Sequence, residues 1–360
     1  MTQTLSAGKY RALTMLADRR GVFKMVAVDQ RPPIFAALAR HGDRSPSEVA
    51  YAEVRAVKRL LSEVLAPEAS ALLTDPVWGH PHALDVIPGD VGLLSTLEGY
   101  DFEVVSGERR SKAIPGWSVK KIKRSGAQGV KVLAWHRPDL SAATQRHQDA
   151  FIESVGAECR ARDLPFVLEL LVYPFAGETP DSLAYAQAKP GRVLGSLRHY
   201  ADERFGVDLL KLEFPADLKH TREFASGAWD ARAREAAYTL AEVEGFLTEL
   251  HAITNVPWVL LSAGVGPREF ALALELAFAA GASGFLAGRA VWLDALDAYP
   301  DLEAVERRLR ERSLPHLRQI SGLADAALPW TRHPRYGGEV RLEGSGEGWL
   351  ERYGGQESES

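Results

Sequence analysis

Eight short apolar segments recur along the chain and define its pattern of hydrophobic and polar positions. They are rich in β-branched and aliphatic residues and are continuously apolar rather than alternating. This pattern is typical of parallel strands that are covered on both faces of a sheet. The segments span residues 23–29, 69–75, 90–98, 129–135, 165–173, 207–214, 257–264 and 283–290.

Helix signals lie between most of these segments. Ser45 with Glu48, and Thr239 with Glu242, have the spacing of a capping box ahead of an amphipathic stretch. A third stretch places Phe270 and every third or fourth residue after it on one apolar stripe. Eight strands alternating with helices predict an α/β fold, a (β/α)8 TIM barrel. A doubly wound open sheet is the alternative, but no GxGxxG motif follows the first strand.

The ends of the chain and one long connection stand apart from this repeat. We expect the first twenty residues to form a helix that closes the bottom of the barrel, so that the barrel domain spans residues 1–326. Residues 327–360 are rich in Gly and Glu and predict a C-terminal extension that ends in a disordered tail. The connection at 216–237 follows the sixth strand and carries Lys219, His220 and Arg222. Its length predicts a lid over the catalytic face.

Composition and charge narrow the classes of partner. The 360-residue chain has a net charge of −5 and no block of basic residues, so we expect neither a nucleic-acid nor a membrane partner but a small molecule. It shows neither a signal peptide nor an apolar stretch long enough to span a bilayer, which predicts a cytoplasmic protein. Cys159 is the single cysteine, so any metal site would need histidines and carboxylates.

The segment VDLLKLEFP contains two charges where a buried strand is expected. Side chains alternate along a strand, so Lys211 and Glu213 share one face, and a buried ammonium group is costly unless it is paired or deprotonated. Lys131 and Glu169 occupy the two preceding strands, which predicts that Lys131, Glu169 and Lys211 converge. Burial and a second cation would lower the pKa of Lys211 and leave a neutral amine. Such an amine can form a Schiff base with a carbonyl, with Glu169 moving protons. Taken singly, each charged residue is better explained by a structural ion pair across the barrel, and it is their combination that favours a catalytic site.

The seventh and eighth strands end in small residues. LSAGVG at 261–266 and AGRA at 287–290 expose backbone N–H groups where barrels commonly bind phosphate, and Arg289 adds a guanidinium group. Tight turns are the alternative explanation of these glycines. Together with an activated lysine, a phosphate site indicates a phosphorylated keto-sugar.

Two histidines after the second strand raise the question of a metal. His80 and His82 form an H-x-H pair, but proline separates them and a surface turn is the favoured interpretation. We therefore expect no metal and no cofactor.

Seven motifs extend the interpretation to a known family. Together, and in this order over residues 22–295, they resemble the class I tagatose-1,6-bisphosphate aldolase family, which also contains the sulfofructosephosphate aldolases. The motifs are VAVDQR, LLTDPVWG, WSVKKIKRSGAQGVKVL, LELLVYP, DLLKLEFP, WVLLSAGV and GFLAGRAVW.

The resemblance implies a (β/α)8 fold without a metal and assigns roles to individual residues. Lys211 matches the Schiff-base lysine, Lys131 a second lysine, Glu169 the proton-transfer glutamate and Asp29 an aspartate of the site. Phosphate contacts are implied at Ser262, Gly264, Gly288 and Arg289. One departure lies in the third strand. Where the tagatose enzymes have the glutamate of YEKTGYD, this chain has Thr96, with Glu98 two positions later.

The leading hypothesis is a class I aldolase that cleaves a ketose 1-phosphate or 1,6-bisphosphate into dihydroxyacetone phosphate and an aldehyde. The substrate could resemble tagatose 1,6-bisphosphate or sulfofructose 1-phosphate. The alternatives are a transaldolase, a metal-dependent barrel lyase or hydrolase using His80 and His82, and a non-catalytic sugar-phosphate-binding regulator. The substituent at C6, the stereochemistry at C4, and whether the chain is a monomer or a homo-oligomer stay open.

Overall fold

The computed structural model describes residues 4–42, 44–337 and 339–353, so the tail predicted beyond 353 lies outside the described residues. Eight parallel strands close into a barrel in chain order, with the eighth paired to the first. All eight predicted strands are confirmed, and the fold is the (β/α)8 barrel. The strands are β1 Phe23–Ala27, β2 Ala71–Thr74, β3 Gly92–Thr96, β4 Gly129–Trp135, β5 Phe166–Leu171, β6 Leu209–Leu212, β7 Trp258–Leu261 and β8 Gly284–Ala287.

Alternation along each strand separates an interior cluster from an outer one. Leu209 packs inside the barrel, whereas Leu210 and Leu212 belong to the outer core between the sheet and the helices. Lys211 therefore faces inward, one step above Leu209 toward the carboxyl end of the strand. The apolar interior fills the lower part of the barrel, and the charged residues lie directly above it.

Helices surround the barrel and contribute the outer core. Their bounds are α1 Ala7–Leu16, α2 Pro32–Ala39, α3 Tyr51–Leu65, α4 His80–Ala83, α5 Val119–Arg124, α6 Ala142–Ala161, α7 Leu183–Tyr200, α8 Leu240–Ile253, α9 Pro267–Ala279, α10 Arg289–Trp292, α11 Leu302–Arg308, α12 Leu314–Leu323 and α13 Trp349–Arg352. Within the described parts of the chain, none of these helices is both long and apolar enough to cross a bilayer.

The two predicted capping boxes have different outcomes. Thr239 and Glu242 cap α8 as expected. Ser45 and Glu48 instead close a short 3-10 turn at Pro46–Glu48, so the prediction that they start the long helix was wrong. That helix, α3, begins at Tyr51 because Glu53 accepts a hydrogen bond from the backbone N–H of Ala50 at 2.8 Å.

The amino-terminal helix and part of the extension close the bottom of the barrel. Leu13 and Leu16 of α1 are buried in the interior cluster, together with Trp330 and Tyr336 from beyond residue 326. A two-residue strand, Thr4–Leu5, pairs with Arg341–Leu342 and ties both ends of the chain together. Trp330 and Tyr336 thus pack the first part of the extension against the barrel, and the division at residue 326 stays a prediction.

Candidate active site

A buried ammonium group is at the centre of the site. The Nζ atom of Lys131 lies 3.1 Å from Oδ2 of Asp29, 2.7 Å from Oε1 of Glu98 and 2.7 Å from Oε2 of Glu169. These groups come from β4, from β5 and from the chain just after β1 and β3. All four residues are more than nine-tenths buried. Glu98 therefore reaches Lys131 from a position two residues beyond Thr96.

The second lysine shares one of these carboxylates. Lys211 is directly opposite Glu169 in the register of β6 and β5, and its Nζ atom lies 2.9 Å from Oε2 of Glu169. The same oxygen contacts Lys131, so one carboxylate oxygen bridges the Nζ atoms of both lysines. The predicted convergence of Lys131, Glu169 and Lys211 is thus present in the structure.

The carboxylates around Lys131 determine its charge state. Burial acts to lower the pKa of Lys131, but the charges of Asp29, Glu169 and Glu98 outweigh it and raise the pKa above its ordinary value. Three carboxylates surround this lysine, whereas the strand pattern alone indicated one, Glu169. Lys131 is therefore a permanent cation at neutral pH.

Two of the carboxylates around Lys131 are correspondingly held in the ionised form. Burial acts to raise the pKa of Asp29, but Lys131, Lys211 and Arg31 lower it overall. Burial likewise acts to raise the pKa of Glu169, but the charges of Lys131 and Lys211 outweigh it and lower the pKa overall. Ionised Glu169 beside Lys211 is thus a proton acceptor within hydrogen-bond reach of the amine.

Glu213 shares the inward face of the lysine strand but belongs to a different set of contacts. It accepts a hydrogen bond from the N–H of Val172 at 2.6 Å and lies 3.6 Å from Nζ of Lys189. Glu213 lies nearer the rim than Lys211 and faces Lys189 rather than Lys131. Burial raises its pKa, and Lys189 offsets the shift only in part.

The lysines open into a cavity of about 510 Å³ at the carboxyl ends of the strands. Ser262, Gly288 and Arg289 line one side of it. The N–H of Gly288 donates to Oγ of Ser262 at 3.4 Å. Gly264 has a φ of +81°, and a β-carbon there would come within 3.1 Å of the Arg289 guanidinium carbon. Glycine thus permits the turn that packs against Arg289, whose pKa is lowered by burial.

The long connection after β6 is folded onto itself. His220 is buried, and its Nδ1 atom lies 2.8 Å from the carbonyl oxygen of Glu235. Lys219 lines a smaller neighbouring cavity of about 230 Å³, and Arg222 is exposed. None of the three basic residues of this predicted lid lines the main cavity.

The H-x-H pair does not form a metal site. His80 and His82 lie two apart on α4, where side chains point in different directions. The Nε2 atom of His80 lies 3.2 Å from the carbonyl oxygen of Ser125, and that of His82 lies 2.6 Å from the hydroxyl of Tyr51. His80 is buried, so the prediction of a surface turn was wrong for this residue.

One group of side chains among the described residues has ligand atoms close enough together to hold a metal ion. Potential ligand atoms of Asp181, Asp217 and His220 lie within 4.8 Å of one another. Arg234 already pairs with Asp181 at 3.1 Å.

Two arginines of the cavity were not identified as site residues from the sequence. Arg31 is buried, with Nη2 3.7 Å from Glu98 and with Nε and Nη1 lacking a protein partner. The sequence feature that could have identified Arg31 is its position two residues after Asp29 in VAVDQR. Arg109 lies on a hairpin after β3. The sequence feature that could have indicated this hairpin is the Ser106–Gly107 turn between short stretches of charged and apolar residues.

Sequence comparison connects the chain to a known protein family. The sequence profile of the DeoC/LacD family of aldolases matches residues 23–294. A protein named tagatose 1,6-diphosphate aldolase from Lactococcus lactis subsp. lactis is 33% identical over 332 residues, which is 91% of this chain and 98% of that protein. One from Streptococcus pneumoniae strain R6 is 34% identical over 331 residues, with coverage of 91% and 98%.

Solved structures share the fold at low sequence identity. The structure of a Schiff-base-forming fructose-1,6-bisphosphate aldolase has a TM-score of 0.54 at 17% identity and covers 88% of this chain and 99% of its own. Fructose-bisphosphate aldolase from Plasmodium falciparum has a TM-score of 0.64 at 14% identity, with coverage of 91% and 97%. The profile match and the identity to curated relatives show that the chain belongs to the DeoC/LacD family of aldolases, which makes it a carbon–carbon lyase.

Proposed function

We propose that the chain is a class I aldolase that cleaves a ketose 1-phosphate or 1,6-bisphosphate into dihydroxyacetone phosphate and an aldehyde through a Schiff base on Lys211. The observation that carries the proposal is the single Glu169 oxygen bridging Lys131 and Lys211 at the mouth of the barrel. This arrangement combines a nucleophile, a proton acceptor and a fixed cation. The names of the curated relatives support the substrate class.

Lys211 first needs to lose a proton, and Glu169 is 2.9 Å away to accept it. The neutral amine then attacks C2 of the ketose and forms a carbon–nitrogen bond, while the carbonyl oxygen takes up the proton from Glu169. Loss of water from this carbinolamine leaves the iminium ion. Lys131 keeps its charge throughout and favours the return of Glu169 to the ionised form.

Cleavage follows from the iminium ion as an electron sink. The ionised Glu169 removes the proton of the C4 hydroxyl, the C3–C4 bond breaks, and its electrons move onto the nitrogen to give an enamine and a free aldehyde. The enamine takes a proton at C3, and water then releases dihydroxyacetone phosphate from Lys211. We assign the phosphate of this three-carbon half to Ser262, Gly264, Gly288 and Arg289.

A substrate panel tests the proposal. Tagatose 1,6-bisphosphate, fructose 1,6-bisphosphate and 6-deoxy-6-sulfofructose 1-phosphate are each incubated with the protein, and triose phosphate is measured with a coupled dehydrogenase. We expect cleavage of at least one ketose that persists in EDTA. Release that requires an added acceptor aldehyde would identify a transaldolase instead. A complete lack of turnover, or turnover abolished by EDTA, would contradict the Schiff-base mechanism.

A further inference from the structure

A short hairpin inserted between β3 and α5 brings an arginine to the mouth of the barrel. Its strands Glu103–Val105 and Glu108–Arg110 pair antiparallel around a turn at Ser106 and Gly107, which have φ values of 53° and 83°. The N–H of Arg109 donates to the hydroxyl of Tyr173 at 2.9 Å. The hairpin is thus fastened to the chain after β5, and the position of Arg109 is fixed.

Three aromatic rings support the Arg109 guanidinium. Its central carbon lies 4.8 Å from the ring centre of Phe102, 4.3 Å from that of Trp135 and 4.8 Å from that of Tyr173. Among the described residues, no carboxylate lies within 4.0 Å of this guanidinium and its side chain makes no hydrogen bond. The cation is therefore held by ring faces, and its N–H donors stay available to a ligand.

Arg137 provides a contrast within the same chain. Its guanidinium also packs on a ring, 3.6 Å from the centre of Phe175, but it carries the carboxylates of Asp139 and Glu178 as ion-pair partners. The charge of Arg137 is thus already paired within the protein, and this arginine stabilises the fold. Arg109 has the ring contacts without the carboxylates, and it lines the main cavity, which Arg137 does not. This difference indicates that the missing partner of Arg109 is an anion supplied from outside.

The position of Arg109 fits the end of the substrate that is remote from Arg289. Arg289 follows β8 and Arg109 precedes β4, so the two arginines stand nearly opposite each other around the eight-stranded ring. Trp135, under Arg109, is four residues beyond Lys131 on β4, which places it about 13 Å nearer the rim. Both arginines line the cavity into which Lys211 opens.

The geometry points to Arg109 as the subsite for a tetrahedral oxyanion, phosphate or sulfonate, at C6 of the sugar. The guanidinium fork donates to two of the anion's oxygens while the rings exclude water from its other face. This inference rests on the proposed function, since it requires a ketose with its first phosphate at Arg289. It adds the chemical class of the distal group and the residue that selects it.

The test compares Arg109→Gln with Arg110→Gln, the next residue of the same hairpin. Arg110 contacts Thr144 at 3.2 Å, away from the cavity, so both variants lose the same charge from the same element. Each is assayed with a ketose 1,6-bisphosphate, the matching 6-sulfonate 1-phosphate and the ketose 1-phosphate that lacks a C6 anion. Thermal unfolding confirms that both variants are folded, and Arg109→Lys retains the charge without the fork.

We expect Arg109→Gln to lower kcat/KM for the C6-anionic substrates by about tenfold to one hundredfold and to leave the 1-phosphate unchanged. The kcat/KM of Arg109→Lys for these substrates should lie between that of Arg109→Gln and that of the wild type. The kcat/KM of Arg110→Gln should match the wild type. A loss confined to the bisphosphate or to the sulfonate would identify which anion the site selects. An equal loss on all substrates, or none on any, would overturn the assignment.

Failure of the proposed function has a separate signature. A wild-type protein that cleaves none of the three sugars would remove the aldolase proposal. Calorimetric titration with the 6-sulfonate sugar would then still decide the subsite. Binding lost in Arg109→Gln and kept in Arg110→Gln supports it, and equal binding in both variants overturns it.

Discussion

The Nζ atom of Lys211 lies 2.9 Å from Oε2 of Glu169, within the reach of a direct proton transfer. Because the same oxygen contacts the permanently charged Lys131, Glu169 is more acidic than an ordinary buried glutamate and returns to its ionised form after each transfer. The arrangement separates two lysines by role, one as a nucleophile and one as a fixed charge.

Replacing Glu169 by Gln should lower kcat by about 10²-fold to 10⁴-fold, because the amide keeps the shape of the side chain but cannot accept the proton of Lys211. KM should change little. Glu213→Gln is the matched control, since it removes another inward carboxylate that faces Lys189 rather than Lys211. Steady-state kinetics on the preferred ketose phosphate measures both. Comparable kcat losses in the two variants would argue against a specific role for Glu169.

Arg289→Lys should raise KM several-fold, because an ammonium group replaces a fork that can donate to two phosphate oxygens. Arg289 is part of the cavity lining beside Ser262 and Gly288, where this phosphate is proposed to bind. Inorganic phosphate should correspondingly inhibit the variant more weakly than the wild type. An unchanged KM together with an unchanged phosphate inhibition constant would remove Arg289 from the site.

The acid stability of the protein should depend on Asp29. Its folded-state pKa is lowered, so its contribution to the free energy of unfolding is present above its ordinary pKa of about 3.9 and is lost as the pH falls below it. Asp29→Asn should therefore be less stable than the wild type at neutral pH, and the gap should shrink in acid. Urea denaturation at several pH values measures the difference. A gap independent of pH would contradict the sign of the shift.

The fully buried pair of Lys58 and Asp75 should be important for stability rather than catalysis. Asp75→Asn leaves a buried ammonium group without its counter-ion and should cost roughly 3–5 kcal/mol of unfolding free energy. Lys58→Met should cost less, because Asp75 still accepts hydrogen bonds from the N–H groups of Val77 and Trp78, both at 2.9 Å. Urea denaturation compares the variants. Equal costs would show that the backbone contacts do not stabilise the lone carboxylate.

The sequence predicted the strands and the inward lysines because both depend on local patterns. A continuously apolar strand is recognisable by itself, and alternation from Leu209 is enough to turn Lys211 inward. The surroundings of Lys131 could not be obtained in this way. Whether Asp29 and Glu98 reach it depends on side-chain length and on the closure of the barrel, which brings β1 and β3 within reach of β4.

The hairpin with Arg109 shows a second limit of sequence analysis. Each of its strands has three residues, none of them buried, so no apolar periodicity marks the hairpin. Its turn residues are a weak signal unless the chain on either side is already assigned. The rings around Arg109 come from three separate parts of the sequence, and only the fold brings them together.

Borohydride trapping with a cleavable ketose phosphate tests the central claim most directly. The reduced three-carbon phosphate should be found by mass spectrometry on the peptide that contains Lys211. Lys211→Arg should abolish both the label and cleavage, since arginine keeps its charge and forms no imine, whereas Lys219→Arg, beside the neighbouring cavity, should retain both. A label on Lys131 would reverse the two lysine roles, and the absence of any lysine label during active turnover would contradict the Schiff-base account.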